Sequence, residues 1–249
     1  MTSQERLLWL AGRVFHLIPP RTPMPVFSGM NKGLRWIRGA ANAPEWMGFY
    51  ELEKQRALKD VVRPGMTAYD IGANAGFYTL GLSRMVGATG KVFAFEPLGK
   101  NVEKLLRHIA LNSLSNIEVL QVAVAANNGL VSFDVGESDF QGRINPNSTA
   151  KYRVPTLRLD SAINNSSLPP PDFLKIDVEG GENQVLEGLS ACLERAHPII
   201  FLALHGDQQK HLCHSYLTRL KYSVEDLAGE TILDPQQMPD EVIARVRHE

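Results

Sequence analysis

Between Thr67 and Met85 the chain passes from a short apolar stretch through a glycine-punctuated turn into a helical pattern, and few folds accept that order. The turn reads Tyr69-Asp70-Ile71-Gly72-Ala73-Asn74-Ala75-Gly76. Gly72 and Gly76 have no Cβ, so the backbone there can bend sharply and lie close to a ligand. The helix predicted from Phe77 to Met85 starts with free N–H groups that suit a polar or anionic group. A second acid, Glu96, ends the next strand-like run, Val92-Phe93-Ala94-Phe95-Glu96. A glycine turn with a distal acid is the layout of a nucleoside-type cofactor site.

The alternation continues along the chain. Strands are predicted at Thr67–Ile71, Lys91–Glu96, Ile117–Val124, Phe173–Asp177 and Pro198–Leu204. The last is an almost unbroken apolar run, as a buried parallel strand should be. The helix over Gly99–Leu111 places Val102, Leu105, Leu106 and Ile109 on one face, and a later one carries Val185, Leu186, Leu189, Cys192 and Leu193. A β-rich insertion lies near 128–160, with candidate strands Leu130–Val135 and Arg153–Leu159, and Pro169-Pro170-Pro171 marks a surface turn. From about Gln208 the pattern gives a helix, a strand near Tyr222-Ser223-Val224 and a polar tail. The expected fold is α/β: a doubly wound, mostly parallel, seven-stranded Rossmann-like sheet over 61–249. Residues 1–60 differ. An apolar, helically spaced start (Leu7 to Ile18) precedes Pro19, Pro20, Pro23, Pro25 and Pro44, which break helices into short pieces. They read as a helical and irregular accessory region, serving as a lid or an oligomer contact.

Composition removes several classes. The formal net charge is −1, which gives no general basic field for nucleic acid. Cys192 and Cys213 are the only cysteines, too few for a disulfide scaffold or a paired-cysteine zinc site; a reducing, cytoplasmic setting is expected. No apolar run approaches the ~20 residues that span a bilayer.

Ligands of doubly wound sheets bind beyond the carboxyl ends of the strands. Those ends are Asp70, Glu96, Ala123, Asp177 and His205. A dinucleotide fingerprint needs G-x-G-x-x-G, but Asn74 and Phe77 stand where its second and third glycines belong. That disfavours an NAD-dependent oxidoreductase. The spacing Asp70-x-Gly72-x-Asn74-x-Gly76 instead suits a compact ligand with an amino-acid end and a nucleoside end, such as S-adenosylmethionine. Asp70 can help hold its ammonium group, and Glu96 can accept two hydrogen bonds from ribose hydroxyls.

Three segments carry a resemblance: Asp70 to Leu80, Phe93-Ala94-Phe95-Glu96-Pro97, and Leu174-Lys175-Ile176-Asp177-Val178-Glu179-Gly180. With Asn101, Asn112 and Leu202-Ala203-Leu204-His205, they resemble FkbM-type S-adenosylmethionine-dependent methyltransferases over about residues 60–225. The resemblance implies a class I methyltransferase fold and O-methylation of sugar or natural-product hydroxyls. It implies donor binding by Asp70, Gly72, Asn74, Gly76, Phe77, Glu96, Pro97, Ala123 and Asp177. This chain departs from the family pattern at Ala203, where an acid usually stands two places before the histidine, and at Gly181, where alanine is usual. A donor-binding, non-catalytic homologue is therefore the second reading.

Methyl transfer from a sulfonium is an in-line displacement that depends on alignment, and a hydroxyl acceptor must also lose a proton. His205 is the expected base, since an unperturbed imidazole titrates near neutral pH. Asp177 would orient the histidine, bind the acceptor or touch the donor's ammonium, and Glu179 completes the catalytic set. Glu182 follows at a helix start, where the dipole alone favours an acid. A carboxylate cluster could hold Mg²⁺, but no metal is assigned. His108, His197, His211 and His214 read as solvated or structural. Acceptor choice is expected from residues 1–60 and from Asp139, Phe140, Gln141 and Arg143 in the insertion. The partner is a small-molecule or carbohydrate acceptor.

Overall fold

The computed structural model describes residues 18–19, 21–40, 47–135, 142–144 and 152–247. The helix expected from Leu7 lies outside them, as do Pro44, Asp139, Phe140, Gln141 and the Arg143 side chain. The described chain opens with an antiparallel ribbon, β1 (Pro23–Pro25) and β2 (Arg35–Ile37), and helix α1 (Leu52–Val61). Alternation follows through β3 (Thr67–Ile71), α2 (Phe77–Val86), β4 (Lys91–Phe95), α3 (Gly99–Leu111) and β5 (Ile117–Leu120). Next come β6 (Ala123–Val124), β7 (Gly129–Val135), β8 (Gly142–Ile144), β9 (Arg153–Leu157) and α4 (Leu159–Asn164). The last part holds β10 (Phe173–Ile176), α5 (Glu182–Gly188), α6 (Ser190–Ala196), β11 (Ile199–Ala203), α7 (Asp207–Arg219), β12 (Tyr222–Glu225) and β13 (Glu241–Val246).

The main sheet has seven strands in the order β12-β13-β11-β10-β3-β4-β5. The pairs from β11 through β5 are parallel, whereas β13 is antiparallel to both β11 and β12. The sheet is thus mixed rather than simply parallel. The expected polar tail supplies the antiparallel strand. Val242 and Ala244 are fully buried there, while Glu241 and Arg245 stay at least partly exposed. The expected strand Ile117–Val124 is also corrected. It breaks after Leu120, and Ala123 and Val124 pair with Thr156 and Leu157 in the separate sheet β6-β9-β7-β8. Ala123 therefore ends no strand of the main sheet.

Side-chain alternation along the buried strands builds two cores, one on each face of the sheet. Tyr69, Ile71, Phe95, Leu174, Ile176 and Leu202 pack with Val185, Leu186, Leu193 and Leu217 of α5, α6 and α7. Ala68, Val92, Phe173 and Phe201 pack on the other face with Leu58 of α1, with Leu80 and Leu82 of α2, and with Trp36 of the ribbon. This three-layer arrangement leaves the carboxyl ends of β3, β4 and β10 at one edge, where the cleft opens.

The ribbon is latched to that edge. Asn112 holds Arg35 on both sides, accepting from its N–H at 2.7 Å and donating to its carbonyl at 2.9 Å. Fully buried His108 accepts the Ile37 N–H through Nε2 at 3.0 Å, and Nδ1 lies 2.8 Å from the Ala75 carbonyl. Trp36 stacks on its ring with centroids 3.9 Å apart. This pattern needs a neutral imidazole with hydrogen on Nδ1. Burial, with Lys104 adding to it, pushes the His108 pKa down to about 4 despite the Ala75 carbonyl. The unfolded chain takes up this proton near pH 6.5 while the folded chain refuses it until about pH 4. Stability should therefore fall as pH drops from about 6.5 to about 4, by on the order of 3 kcal/mol from this group. Denaturation series across that window check this. In His108→Gln, which keeps one acceptor and one donor, the slope should be shallower by that amount, and an unchanged slope contradicts it.

Candidate active site

The turn after β3 is held open by contacts that exclude side chains at its two glycines. Gly72 has φ +81°, and a Cβ there would sit 1.8 Å from the Asp177 carbonyl oxygen. Gly76 has φ +99°, with a virtual Cβ 2.4 Å from Leu105. Asn74 also has a positive φ, 49°, and its Oδ1 accepts the Ala75 N–H at 2.7 Å. Around the turn lies an open cleft. Its walls include Gly72, Asn74, Phe77, Glu96, Pro97, Ala123, Asp177 and Glu179, so these sequence-predicted residues converge despite their separation in the chain.

Glu96 is 5% exposed and sits just beyond β4. Its Oε2 accepts the Asn74 N–H at 2.8 Å, and its Oε1 accepts the Leu98 N–H at 2.9 Å and the Asn101 amide at 3.3 Å. Burial raises its pKa, although these three donors oppose the shift. An ionised carboxylate has about four acceptor positions. Protein donors take three of them, and Oε2 carries only one of these.

Asp70, Gly76 and His205 do not line the cleft. Asp70 is fully buried behind the turn, where its Oδ2 accepts the Thr79 hydroxyl at 2.6 Å and its Oδ1 lies 3.4 Å from Lys175 Nζ. Lys175 faces Asp70 across the β3–β10 pairing and is 3% exposed. Its Nζ also donates to the Gly72 carbonyl at 3.2 Å and lies 3.4 Å from Asp177 Oδ2. Burial opposes its charge, but Asp177 and Asp70 more than offset this and hold its pKa above the ordinary lysine value. Asp70 thus braces the lysine that ties the glycine turn to Asp177. Lys175, hidden in an apolar run, is the residue that sequence reasoning passed over.

Asp177 follows β10 directly and is 30% exposed at its side chain. Burial would raise its pKa, but Lys175, His205 and Lys54 hold it below the usual carboxylate value. Asp177 Oδ1 lies 3.8 Å from His205 Nε2, and Glu179 Oε2 lies 3.5 Å from the same nitrogen. His205 Nδ1 is 2.7 Å from Oε1 of Glu182, which is itself fully buried. The Glu182 hydrogen bond and the charges of Glu179 and Asp177 outweigh burial and raise the His205 pKa to about 9. Three carboxylates ring the imidazole.

Trp36, Tyr50, Tyr78 and Phe133 complete the walls with aromatic surface from the ribbon, α1's approach, α2 and the small sheet. The Tyr78 hydroxyl donates to Glu51, which pairs with Lys54, and Lys54 Nζ is 2.7 Å from Glu241. Glu241 stands opposite Ala203 in the β11–β13 register. A carboxylate from the neighbouring strand therefore lies across from the position where the sequence lacks one.

The profile of the methyltransferase FkbM domain matches residues 70–227. The hexuronic acid methyltransferase AglP of Haloferax volcanii is 23% identical over 170 residues, which span 68% of this chain and 69% of AglP. Among solved structures, the methyltransferase FkbM from Methylobacillus flagellatus superposes with a TM-score of 0.52 at 18% identity. That match covers 82% of this chain and 55% of the other, so the chain spans little more than half of that relative's length. A putative rRNA methylase from Clostridium thermocellum gives a TM-score of 0.51 at 14% identity, covering 79% of this chain and 96% of that one. At these identities the structural likenesses speak for the fold. None of these matches supports the oxidoreductase alternative.

Proposed function

The chain belongs to the FkbM methyltransferase family, and we propose that it transfers the methyl group of S-adenosylmethionine to an oxygen of a sugar-type acceptor. The observation that carries this reading is the convergence of two differently built halves on one cleft. On one side stand the glycine turn, with positive φ at Gly72, Asn74 and Gly76, and Glu96, whose Oε2 accepts one protein donor. On the other stand Asp177 and Glu179, polar and partly exposed, with His205 behind them at 3.8 and 3.5 Å. The donor's adenosine belongs with the first half. Its methyl group then faces the second, where the acceptor hydroxyl binds.

The reaction forms a bond from acceptor oxygen to methyl carbon and breaks the bond from that carbon to sulfur. Its demand on the protein is alignment, which can supply roughly 7–11 kcal/mol. Asp177 and Glu179 are the groups that accept the acceptor's hydroxyl hydrogen, and Lys175 fixes Asp177 relative to the Gly72 turn. The sugar class is supported by the hexuronic acid methyltransferase among the relatives. No helix among the described residues is long and apolar enough to cross a membrane.

Methyl-labelled donor, incubated with hexuronic acid glycosides, neutral hexosides and phenols, tests the reading by mass spectrometry of products. Label on a sugar oxygen is expected, and label only on phenols overturns the sugar assignment. Donor binding without transfer to any acceptor overturns catalysis and favours the non-catalytic reading.

A further inference from the structure

We propose that Asp177, Glu179 and His205 form a binding site for one divalent cation at the acceptor end of the cleft. Each of the three offers a ligand atom, and these atoms all lie within 4.8 Å of one another. Nε2 of His205 is 3.5 Å from Glu179 and 3.8 Å from Asp177. Adjacent ligands of an octahedral ion at about 2.1 Å lie roughly 3 Å apart, so closure by less than 1 Å at each of these two pairs would bring them to that spacing. The two carboxylates suit Mn²⁺ or Mg²⁺ and the imidazole suits Fe²⁺ or Zn²⁺, so the mixed set accepts several divalent ions, of which Mn²⁺ is a spectroscopic probe.

The surroundings argue for a ligand rather than a chance meeting of charges. Metal-bound histidines commonly give their other ring nitrogen to a carboxylate, which fixes the ring. Glu182 does this from a fully buried position, at 2.7 Å from Nδ1, and so turns Nε2 towards the other two acids. Its Oε2 is buried without a hydrogen-bond partner among the described residues, a costly arrangement for a residue that only caps a helix. The cluster is rich in carboxylates. Asp70, Asp177, Glu179 and Glu182 gather around Lys175 and His205, with Lys54 acting on Asp177. Asp177 divides its oxygens, with Oδ2 on Lys175 and Oδ1 on the histidine side, so the lysine does not occupy the site. Asp177 and Glu179 both line the cleft, which leaves the ion's remaining positions open to water or to acceptor oxygens.

The location of the site rests on geometry alone. Its role in holding the acceptor rests on the methyltransferase reading above, and the experiment separates the two because it uses the full chain with Mn²⁺ and no acceptor. Electron paramagnetic resonance of free Mn²⁺ should show one ion bound per chain. His205→Gln and Asp177→Asn should weaken binding at least tenfold, and Glu182→Gln, which keeps size and hydrogen bonding, by about 10–100-fold. Thermal melts establish that the variants are folded, and any unfolded variant is replaced by Glu179→Gln, with the same expected weakening. Binding should persist when S-adenosylhomocysteine is saturating. No binding by the wild type, or equal binding by the folded variants, overturns the site and leaves the donor reading standing. Release of Mn²⁺ by S-adenosylhomocysteine overturns its placement on the acceptor side.

Discussion

Lys175→Met should lower the unfolding free energy by about 3–5 kcal/mol, the largest effect expected from any single change at the cleft. Methionine fills nearly the same volume in β10, although the ammonium's place over the Tyr78 ring, 5.1 Å from its centroid, goes with the charge. What is lost is the cation that faces Asp70, a carboxylate with no solvent exposure and 3.4 Å from Lys175 Nζ. Removing one partner of a buried pair leaves an uncompensated charge, which costs far more than the intact pair contributes. The double variant Lys175→Met with Asp70→Asn should recover most of the loss. It leaves no buried charge unmatched, and the amide introduced in place of the carboxylate can still meet the Thr79 hydroxyl. Urea denaturation of both variants measures this. A loss below about 1 kcal/mol in Lys175→Met, or no recovery in the double variant, means that the pair does not brace the turn.

Glu96→Ala should weaken S-adenosylmethionine binding about 100-fold, as judged by equilibrium dialysis with labelled donor. Two effects combine. The substitution removes the carboxylate that would accept a ligand hydroxyl, and hydrogen bonds to a charged group contribute about 1.5–3 kcal/mol. It also releases the Asn74 and Leu98 N–H groups, which Glu96 now holds at 2.8 and 2.9 Å. Glu96→Gln keeps the shape but turns an NH₂ towards one of those N–H groups, so it should still lose at least tenfold. Unchanged affinity in both variants would place the donor elsewhere.

The central sheet is legible in the sequence because its strands are buried on both faces. Phe173 to Ile176 and Ile199 to Ala203 are nearly continuous apolar runs, and such runs admit few other readings. β13 is hidden for the opposite reason. Glu241 and Arg245 interrupt it, since they meet Lys54 and Glu225 rather than the core. The ribbon is hidden by its prolines, Pro23 and Pro25, which can stand in a two-stranded edge that needs few N–H donors.

In the site, Gly72, Asn74 and Glu96 are readable because a local turn and the next strand end bring them together. The acceptor side is built by convergence between elements far apart in sequence, and spacing says little about that. Glu182 looks like a favourable acid at a helix start, and only the fold shows that it holds His205. The same convergence rings an ordinary histidine with three carboxylates, which raise its pKa. Lys175 gave no signal beyond a charge inside a strand pattern, because its partner Asp70 meets it only through β3–β10 register.

Calorimetric titration of the full chain with S-adenosylmethionine tests the central claim most directly. One site per chain is predicted, with the heat abolished by prior saturation with S-adenosylhomocysteine and unaffected by NAD. Absence of binding, or competition by NAD but not by S-adenosylhomocysteine, would contradict a methyl-donor cleft built on the Asp70–Gly76 turn.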